Sequence, residues 1–299
     1  IIGGSAAATA TGIYAARRNL NFKIISKDFG GEVATSGEIG NWPGINQTDG
    51  ITLAKQFKEH LKFYKADMEE GIEVEKVIRQ DDGSFKVITK TGEYAAKAVI
   101  IATGVHPKGL NVPGEKELRN KGVSYCTVCD GPLFPGKNVV IVGGGNSALE
   151  AGIMMADIAS RVYVINKNPV FKGDQILIDN LSSKKNVEII YNAMTAEILG
   201  DGFVSSLKYK DSKTGEEKEL KVDGVFIHIG MLPNRQLAPP EVEKTKAGEI
   251  VVSKNCETNI PGLFAAGDVT DIPFKQIVIA VGQGTCALLQ AVNYLNRLK

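Results

Sequence analysis

The chain carries one pattern twice, and this repeat constrains its fold more than any other feature. The first copy opens with Ile1-Ile2, a Gly/Ala turn and an apolar helix to Arg18, followed by a second strand at Phe22–Ser26. Strands near Glu73–Arg79, Phe85–Thr89 and Glu93–Ala96 form a polar meander, and the copy closes on Ala98-Val-Ile-Ile-Ala-Thr-Gly104. The second copy opens with Asn138-Val-Val-Ile-Val142, the turn Gly143-Gly-Gly-Asn-Ser-Ala148 and a helix to about Ile158. Its second strand is Arg161–Ile165, its meander covers Val187–Ile198, Val204–Asp211 and Glu217–Val222, and it closes on Gly224-Val-Phe-Ile-His-Ile-Gly230. Short apolar runs that end in glycine and a helical pattern signal parallel strands buried on both faces. The alternating, glycine-bounded segments between them signal antiparallel hairpins.

Two such units predict an α/β fold of two Rossmann-like dinucleotide-binding domains, each with a β-meander insertion. The linker Pro107–Gly114 marks the first boundary and Leu232–Arg235 the second. The remainder, from about Pro239, is too short for a domain of its own. Its strand Gly262–Gly267 and helix Gly284–Leu298 must rejoin the first unit, which is therefore discontinuous. The expected division is residues 1–108, 109–236 and 237–299. Ile1-Ile2 reads as the end of a buried strand, so native residues are expected to precede it.

The bulk numbers narrow the class. Over 299 residues, 43% hydrophobic and 23% charged is a globular composition. Lys plus Arg total 35 against 34 Asp plus Glu, which gives no electrostatic reason to expect nucleic acid or an anionic membrane as partner. No unbroken apolar run approaches the ~18 residues of a membrane span, and no stretch reads as a signal peptide. A cytoplasmic setting is expected.

Only four cysteines are present, at 126, 129, 256 and 286. A secreted disulfide scaffold would be shorter and richer in cysteine. Cys126-Thr-Val-Cys129 is the one close pair, and Asp130 follows it directly. Two thiols at this spacing close a small disulfide ring, and a buried aspartic acid beside them is a candidate acid for the leaving thiolate. The competing reading is half of a zinc site, but His60, His106 and His228 supply no matching second pair. Cys286 reads as helix core, Cys256 as structural, and His228 as a satisfied strand histidine.

The two glycine turns differ in strength. Gly143-x-Gly145-x-x-Ala148 follows a strand and opens a helix, the context a pyrophosphate needs. Its candidate ligand residues are Gly143, Gly145, Asn146, Ser147 and Ala148, with Gly230 at the end of the last strand. No carboxylate ends the second strand; Asn166-Lys167-Asn168 stands there, and Lys167 and Lys172 are candidates for a 2′-phosphate. The first turn is degraded, with Gly3 in place but Ser5 and Ala8 at the other two positions. Its candidates are Gly3, Ser5 and Ala6, with Asp28, Gly30, Gly31, Glu32, Thr35, Asn41, Thr103 and Gly104 further along. Near the other end stand Gly267, Asp268, Lys275, Gln276 and Ile277, where Asp268 could hold a ribityl chain and the helix start could face a flavin.

Together these residues carry a family resemblance. Val123-Ser-Tyr-Cys-Thr-Val-Cys-Asp-Gly131 followed by Gly143-Gly-Gly-Asn-Ser-Ala-Leu-Glu150 resembles the low-molecular-weight thioredoxin reductases, as do Asn41-Trp-Pro-Gly44, Ile101-Ala-Thr-Gly104 and Leu263-Phe-Ala-Ala-Gly-Asp268. The resemblance spans nearly the whole chain. It implies that 1–108 and 237–299 bind FAD and that 109–236 binds NADPH and carries the dithiol. It implies that Cys129 faces the flavin, Cys126 attacks the disulfide of thioredoxin or a related small redox protein, and Asp130 is the acid/base. It also implies a homodimer and a rotation of one domain against the other between half-reactions. The family's His-Arg-Arg and further Arg appear here as Asn166-Lys167-Asn168 and Lys172, and its glutamine after Gly-Gly is Glu32, so NADH or ferredoxin stays open as donor. Lys172-Gly-Asp-Gln and Pro273-Phe-Lys-Gln-Ile are similar to the flavoprotein subunit of alkyl hydroperoxide reductase, which leaves a peroxiredoxin-linked or glutaredoxin-like acceptor open as well.

Overall fold

The computed structural model describes residues 1–36 and 38–298, with the backbone alone for Glu38 and Cys129. The chain divides into two compact units, Ile1–His106 with Leu232–Lys299, and Pro107–Met231.

In the first unit a parallel sheet runs in the order Met68–Glu70, Ile24–Ser26, Ile2, Val99–Ile101, Leu263–Ala265. Ile2 is the pivot. Its N–H donates to Ile100 O at 2.9 Å and its carbonyl accepts from Ala102 N at 2.7 Å, while Gly3 N donates to Ile25 O at 2.9 Å on the other side. The chain then turns into the helix Ala6–Arg17, which packs on the C-terminal helix Ile277–Arg297. Both faces are small: Ala7, Ala8 and Ala15 on one, Ala280, Ala287 and Ala291 on the other. The backbones approach so closely that a Cβ on Gly284 would lie 2.1 Å from Ala7 O. Thr11 Oγ1 donates across the crossing to Gly284 O at 3.0 Å. The antiparallel meander Val74–Arg79, Phe85–Thr89, Glu93–Ala96 completes the unit.

The C-terminal helix starts at Ile277, where Lys275-Gln276-Ile277 is expected to lead into a helix, and seven residues before Gly284, where the expected helix Gly284–Leu298 begins. Gly282 and Gly284 lower the local helix propensity and hide the first two turns. By length and composition this helix could cross a membrane, with mean hydropathy 1.3. A search for unbroken apolar runs misses it because Gln283, Thr285 and Gln290 interrupt the run. Its small-residue stripe is buried against the first helix, as in a core helix.

The second unit repeats the plan. A five-stranded parallel sheet has the order Val123–Ser124, Gly224–Ile227, Asn138–Val142, Arg161–Asn166, Val187–Tyr191. Val139 and Ile141 join the cluster under the helices, and Val140 and Val142 join the cluster under the meander. Burial on both faces explains the continuous apolar runs. The stretch Val187–Ile198, expected as one meander segment, is two strands. Asn192 takes φ 57° between them, a left-handed conformation that asparagine tolerates. Val187–Tyr191 thereby ends the parallel sheet, and Ala193–Asp201 turns away to pair antiparallel with Phe203–Asp211.

The chain returns to the first unit at Leu232, in the expected boundary segment Leu232–Arg235 and a few residues ahead of the 236/237 division. Asn234 causes this. Its N–H donates to Gly104 O at 3.0 Å and its Nδ2 to Thr103 O at 2.9 Å, while Thr103 Oγ1 donates to Asn234 O. The two connecting segments, Val105–Pro107 and Met231–Pro233, pair as a two-stranded ribbon.

The helix crossing yields one prediction. Gly284→Ala aims a methyl group at a backbone carbonyl, so it should destabilise the protein by about 1–3 kcal/mol. A lower thermal midpoint by calorimetry is the expected outcome. An unchanged midpoint would mean the helices spread without cost.

Candidate functional site

The first turn is built from two glycine segments locked together. Gly3 takes φ +135°, and a Cβ there would lie 2.1 Å from Ala102 O. A Cβ on Gly4 would lie 2.3 Å from Asp28 O, and Gly30 N donates to Gly4 O at 2.7 Å. Ser5 heads the helix Ala6–Arg17 without capping it; its hydroxyl donates to Gly30 O instead. This explains the degraded fingerprint. The serine side chain is turned to the Gly30-Gly31 segment, and the helix N-terminus stays free of a side-chain cap, as anion binding requires.

Other candidates of the first unit meet around this turn. Asn41 Nδ2 donates to Gln276 Oε1 at 3.1 Å, joining the Asn41 loop to the residue preceding the C-terminal helix at Ile277. Thr35 Oγ1 donates to Glu32 Oε2 at 3.3 Å. Burial pushes the Glu32 carboxyl up, partly offset by the Thr35 hydrogen bond and by His106, with Asp268 and Asp28 adding repulsion. Burial likewise raises Asp268, against the pull of Lys275. Asp268 Oδ1 is buried and has no hydrogen-bond partner within the chain. Such an acceptor is costly unless a donor arrives. Lys275 is occupied elsewhere, by an ion pair with Glu249 at 2.9 Å and a hydrogen bond to Thr270 O.

Two positioning residues of the first unit escaped the sequence reading. Gln283 Oε1 accepts from Gly267 N at 2.8 Å and Thr270 Oγ1 at 3.2 Å, fixing the turn that carries Asp268. Asn234 clamps Thr103 and Gly104 as described, and its Oδ1 meets His106 Nδ1 at 2.5 Å. His228, read from the sequence as a satisfied histidine, plays such a part in the second unit.

The second turn uses the same close approach. Gly143 takes φ +155°, and a Cβ there would lie 2.1 Å from His228 O; a Cβ on Gly144 would strike the Asn166 side chain at 2.5 Å. Gly145 opens on free space and starts the helix Asn146–Ala156 without a side-chain cap. Ala148 is buried beneath it. Asn146 is taken up by Asp174, with Nδ2 donating to Oδ2 and Oδ1 accepting from Asp174 N, both at 2.8 Å. Asn166, at the strand end where a ribose is read, is buried, and its Nδ2 donates to Val170 O at 2.8 Å. Lys172 N donates to Gly144 O at 2.8 Å, so the 166–174 segment is braced across the turn while the Lys167 and Lys172 side chains stay exposed. Gly230, at φ +106°, accepts from Lys108 N at 2.9 Å.

The redox segment lies in the same unit. Cys126 is disulfide-bonded; the Cys129 side chain lies outside the described residues. Cys126 N donates to Ser124 Oγ at 3.0 Å, and Asp130 N to Cys126 O at 3.1 Å. Asp130 ends the short helix Thr127–Asp130 and is half-buried. Glu115, 2% exposed, anchors the preceding residue: it accepts from Tyr125 OH at 2.6 Å and from Leu110 N at 2.8 Å. His228 binds the segment to the nucleotide turn. Its Nε2 meets Thr127 Oγ1 at 2.6 Å and its Nδ1 meets Ser147 Oγ at 3.0 Å. Burial lowers its pKa to about 4, so it is neutral at pH 7 and its ring supplies one donor and one acceptor. The one signal in the sequence was a polar residue inside an apolar strand, which does not reveal partners 101 and 81 residues away. Among the described residues, no group of three or more His, Cys, Asp or Glu could hold a metal ion.

Residues 1–284 match the pyridine nucleotide-disulphide oxidoreductase family, and the chain belongs to it. Members of this family of the thioredoxin reductase kind bind FAD and NAD(P)H. The chain is similar to a subunit of the alkyl hydroperoxide reductase of Escherichia coli (strain K12), 41% identical over 303 residues that cover 100% of this chain and 58% of that protein. It is 41% identical to NADH dehydrogenase of Bacillus subtilis (strain 168) over 298 residues, 99% of this chain and 58% of that protein. It thus spans little more than half the length of these relatives. Its fold is similar to that of Lactococcus lactis thioredoxin reductase, with TM-score 0.85 and 31% identity over 99% of this chain and 98% of that one.

His228 gives a pH prediction. An unfolded histidine titrates near 6.5, and the folded one near 4. Between these values the unfolded state binds a proton that the native state does not, so stability is lost as pH falls through that window, by about 3 kcal/mol in total. Denaturant unfolding of the wild type from pH 7 to 4 should fall more steeply than that of His228→Gln. Parallel curves would show that His228 does not carry this linkage.

Proposed function

We propose that this chain is a flavoprotein disulfide reductase that moves two electrons from a reduced nicotinamide dinucleotide to the disulfide of Cys126 and Cys129, and on to thioredoxin or a related small redox protein. The observation that carries the reading is the disulfide-bonded Cys126 in a segment hydrogen-bonded through His228 to the dinucleotide turn. The fold and family support it.

The residues fit the cofactors. Gly3, Ser5 and Ala6 would place the first helix N-terminus against the FAD pyrophosphate, with Gly30 and Gly31 closing the turn. Asp268 Oδ1, buried without a partner, suits a ribityl hydroxyl. The Asn41–Gln276 pair and Ile277 would stand at the flavin ring, with Glu32 and Thr35 near the flavin and Asp28, Thr103 and Gly104 along the cofactor. Gly143, Gly145, Asn146, Ser147 and Ala148 would hold the dinucleotide pyrophosphate, with Gly230 alongside. Bound FAD supplies a hydride acceptor and a two-electron donor to the disulfide.

The protein chemistry is then thiol exchange. Cys126 gives its proton to Asp130 and its thiolate attacks the partner's disulfide sulfur, forming a mixed disulfide and releasing one partner thiolate, which takes that proton from Asp130. Cys129 attacks the Cys126 sulfur, the mixed disulfide breaks, and the second partner thiol leaves with the Cys129 proton as the ring is restored. Exposed Lys167 and Lys172 favour NADPH as donor. NADH is the second reading, favoured by Asn166, whose amide is used up bracing its loop, and by the similarity to a protein named NADH dehydrogenase. We further propose a homodimer in the cytoplasm, with residues 1–108 and 237–299 serving FAD and 109–236 serving the dinucleotide and dithiol.

Anaerobic titration of the flavin with NADPH and with NADH tests the donor, and bleaching by one of them is expected. Cys129→Ser should keep flavin reduction while lowering thioredoxin-coupled turnover by about three orders of magnitude or more. A colourless protein, or one whose flavin neither nucleotide reduces, would sink the proposal. Asp268→Ala should weaken FAD binding roughly 10- to 100-fold, the worth of one hydrogen bond to a charged group, as read by equilibrium dialysis.

A further inference from the structure

Two more cysteines meet in the first unit, away from the redox segment. Cys256 sits in the 253–257 turn and is 2% exposed; Cys286 lies in the C-terminal helix and is partly exposed. Both are free. The Cys256 thiol donates to Gln283 O at 3.5 Å, and the Cys286 thiol to Lys254 O at 3.7 Å. Each sulfur therefore reaches the backbone just upstream of the other cysteine.

Two further observations set this pair apart from ordinary core thiols. Cys256 holds φ +62°, a left-handed conformation rare outside glycine and asparagine. Its turn is over-determined: Cys256 N donates to Ser253 O at 2.8 Å, Ser253 N to Glu257 O at 2.9 Å and Ala265 N to Cys256 O at 3.2 Å. Local strain held in this way is typical of functional positions. Both sulfurs also line an open cleft of about 340 Å³, together with Ser253, Lys254, Asp271 and Pro273.

We propose that Cys256 and Cys286 are a second redox couple, a dithiol that closes to an intramolecular disulfide when a low-molecular-weight disulfide enters this cleft. Cys286, the accessible thiol, reacts first. Its sulfur attacks one sulfur of the incoming disulfide, the S–S bond breaks, and one small thiol leaves with the proton from Cys286. Cys256 then attacks the Cys286 sulfur, the mixed disulfide breaks, and a second small thiol leaves with the Cys256 proton. Two thiols are oxidised and one small disulfide is reduced to two thiols. Burial, with the Cys286 neighbour adding to it, pushes the Cys256 thiol up to about 12. It is therefore a poor first nucleophile and suits the resolving role. The new bond would tie the 253–257 turn to the helix beside Gln283, whose amide holds Gly267 and Thr270. Oxidation at the cleft would thus be transmitted to the turn carrying Asp268.

The test uses the full chain with its flavin, incubated with glutathione disulfide and mapped by peptide mass spectrometry. A linked peptide pair containing Cys256 and Cys286, lighter by two hydrogens and reversed by dithiothreitol, is the expected result. Cys256→Ser should accumulate one glutathione on Cys286, whereas Cys286→Ser should leave Cys256 unmodified. Failure of the unsubstituted chain to form the linked peptide would overturn the proposal without relying on any variant. Glutathione on Cys256 in Cys286→Ser would overturn the assigned order of attack.

Discussion

Both halves of the chain depend on one close backbone contact. Where the central strand of each parallel sheet leaves for its helix, a glycine lies against the carbonyl of the next strand. A Cβ on Gly3 would stand 2.1 Å from Ala102 O, and one on Gly143 would stand 2.1 Å from His228 O. No side chain fits at that distance, so these positions admit only glycine without rebuilding the sheet edge. The contact brings the helix N-terminus to the carboxyl ends of the strands, where a phosphate can approach backbone N–H groups. The rest of each candidate site is hung on that geometry: Ser5 and Gly30 on the first turn, Asn146 and the 166–174 segment on the second.

This dependence explains what was legible in the sequence. Asn138–Val142 and Gly224–Ile227 could be read because burial on both faces leaves uninterrupted apolar runs. The first turns of the C-terminal helix were less regular, because Gly284 serves the crossing with Ala7, a contact between residues far apart in the chain. The break at Asn192 rests on one backbone conformation that a meander pattern does not encode. Ser5 reads as erosion of a glycine fingerprint until its hydroxyl is seen donating to Gly30 O.

The candidate site was legible in its glycines and its cysteine pair, and illegible in the residues that hold them. His228, Asn234 and Gln283 are ordinary polar residues in sequence. Each acts by tying together segments that meet only in the fold: His228 joins Thr127 to Ser147, Asn234 holds the 103–106 segment, and Gln283 ties the C-terminal helix to the turn at Gly267 and Thr270. Donor choice was hard to read for a related reason. Asn166 stands where a ribose-binding carboxylate is sought, yet its amide is committed to Val170 O.

The discontinuity of the first unit also bears on how the chain comes into being. During synthesis, Val99–Ile101 emerges long before its partner strand Leu263–Ala265, and Thr11 waits for Gly284 across 273 positions. The intervening Pro107–Met231 is contiguous and holds its own sheet, so it can fold while the first unit still has an open edge. Once folded, that insertion brings the ends of a long loop near each other through the paired segments Val105–Pro107 and Met231–Pro233. It thereby lowers the entropic barrier to the last strand and helix. Until Leu263–Ala265 is synthesised, the apolar strand Val99–Ile101 lacks its partner on that side and presents an open edge.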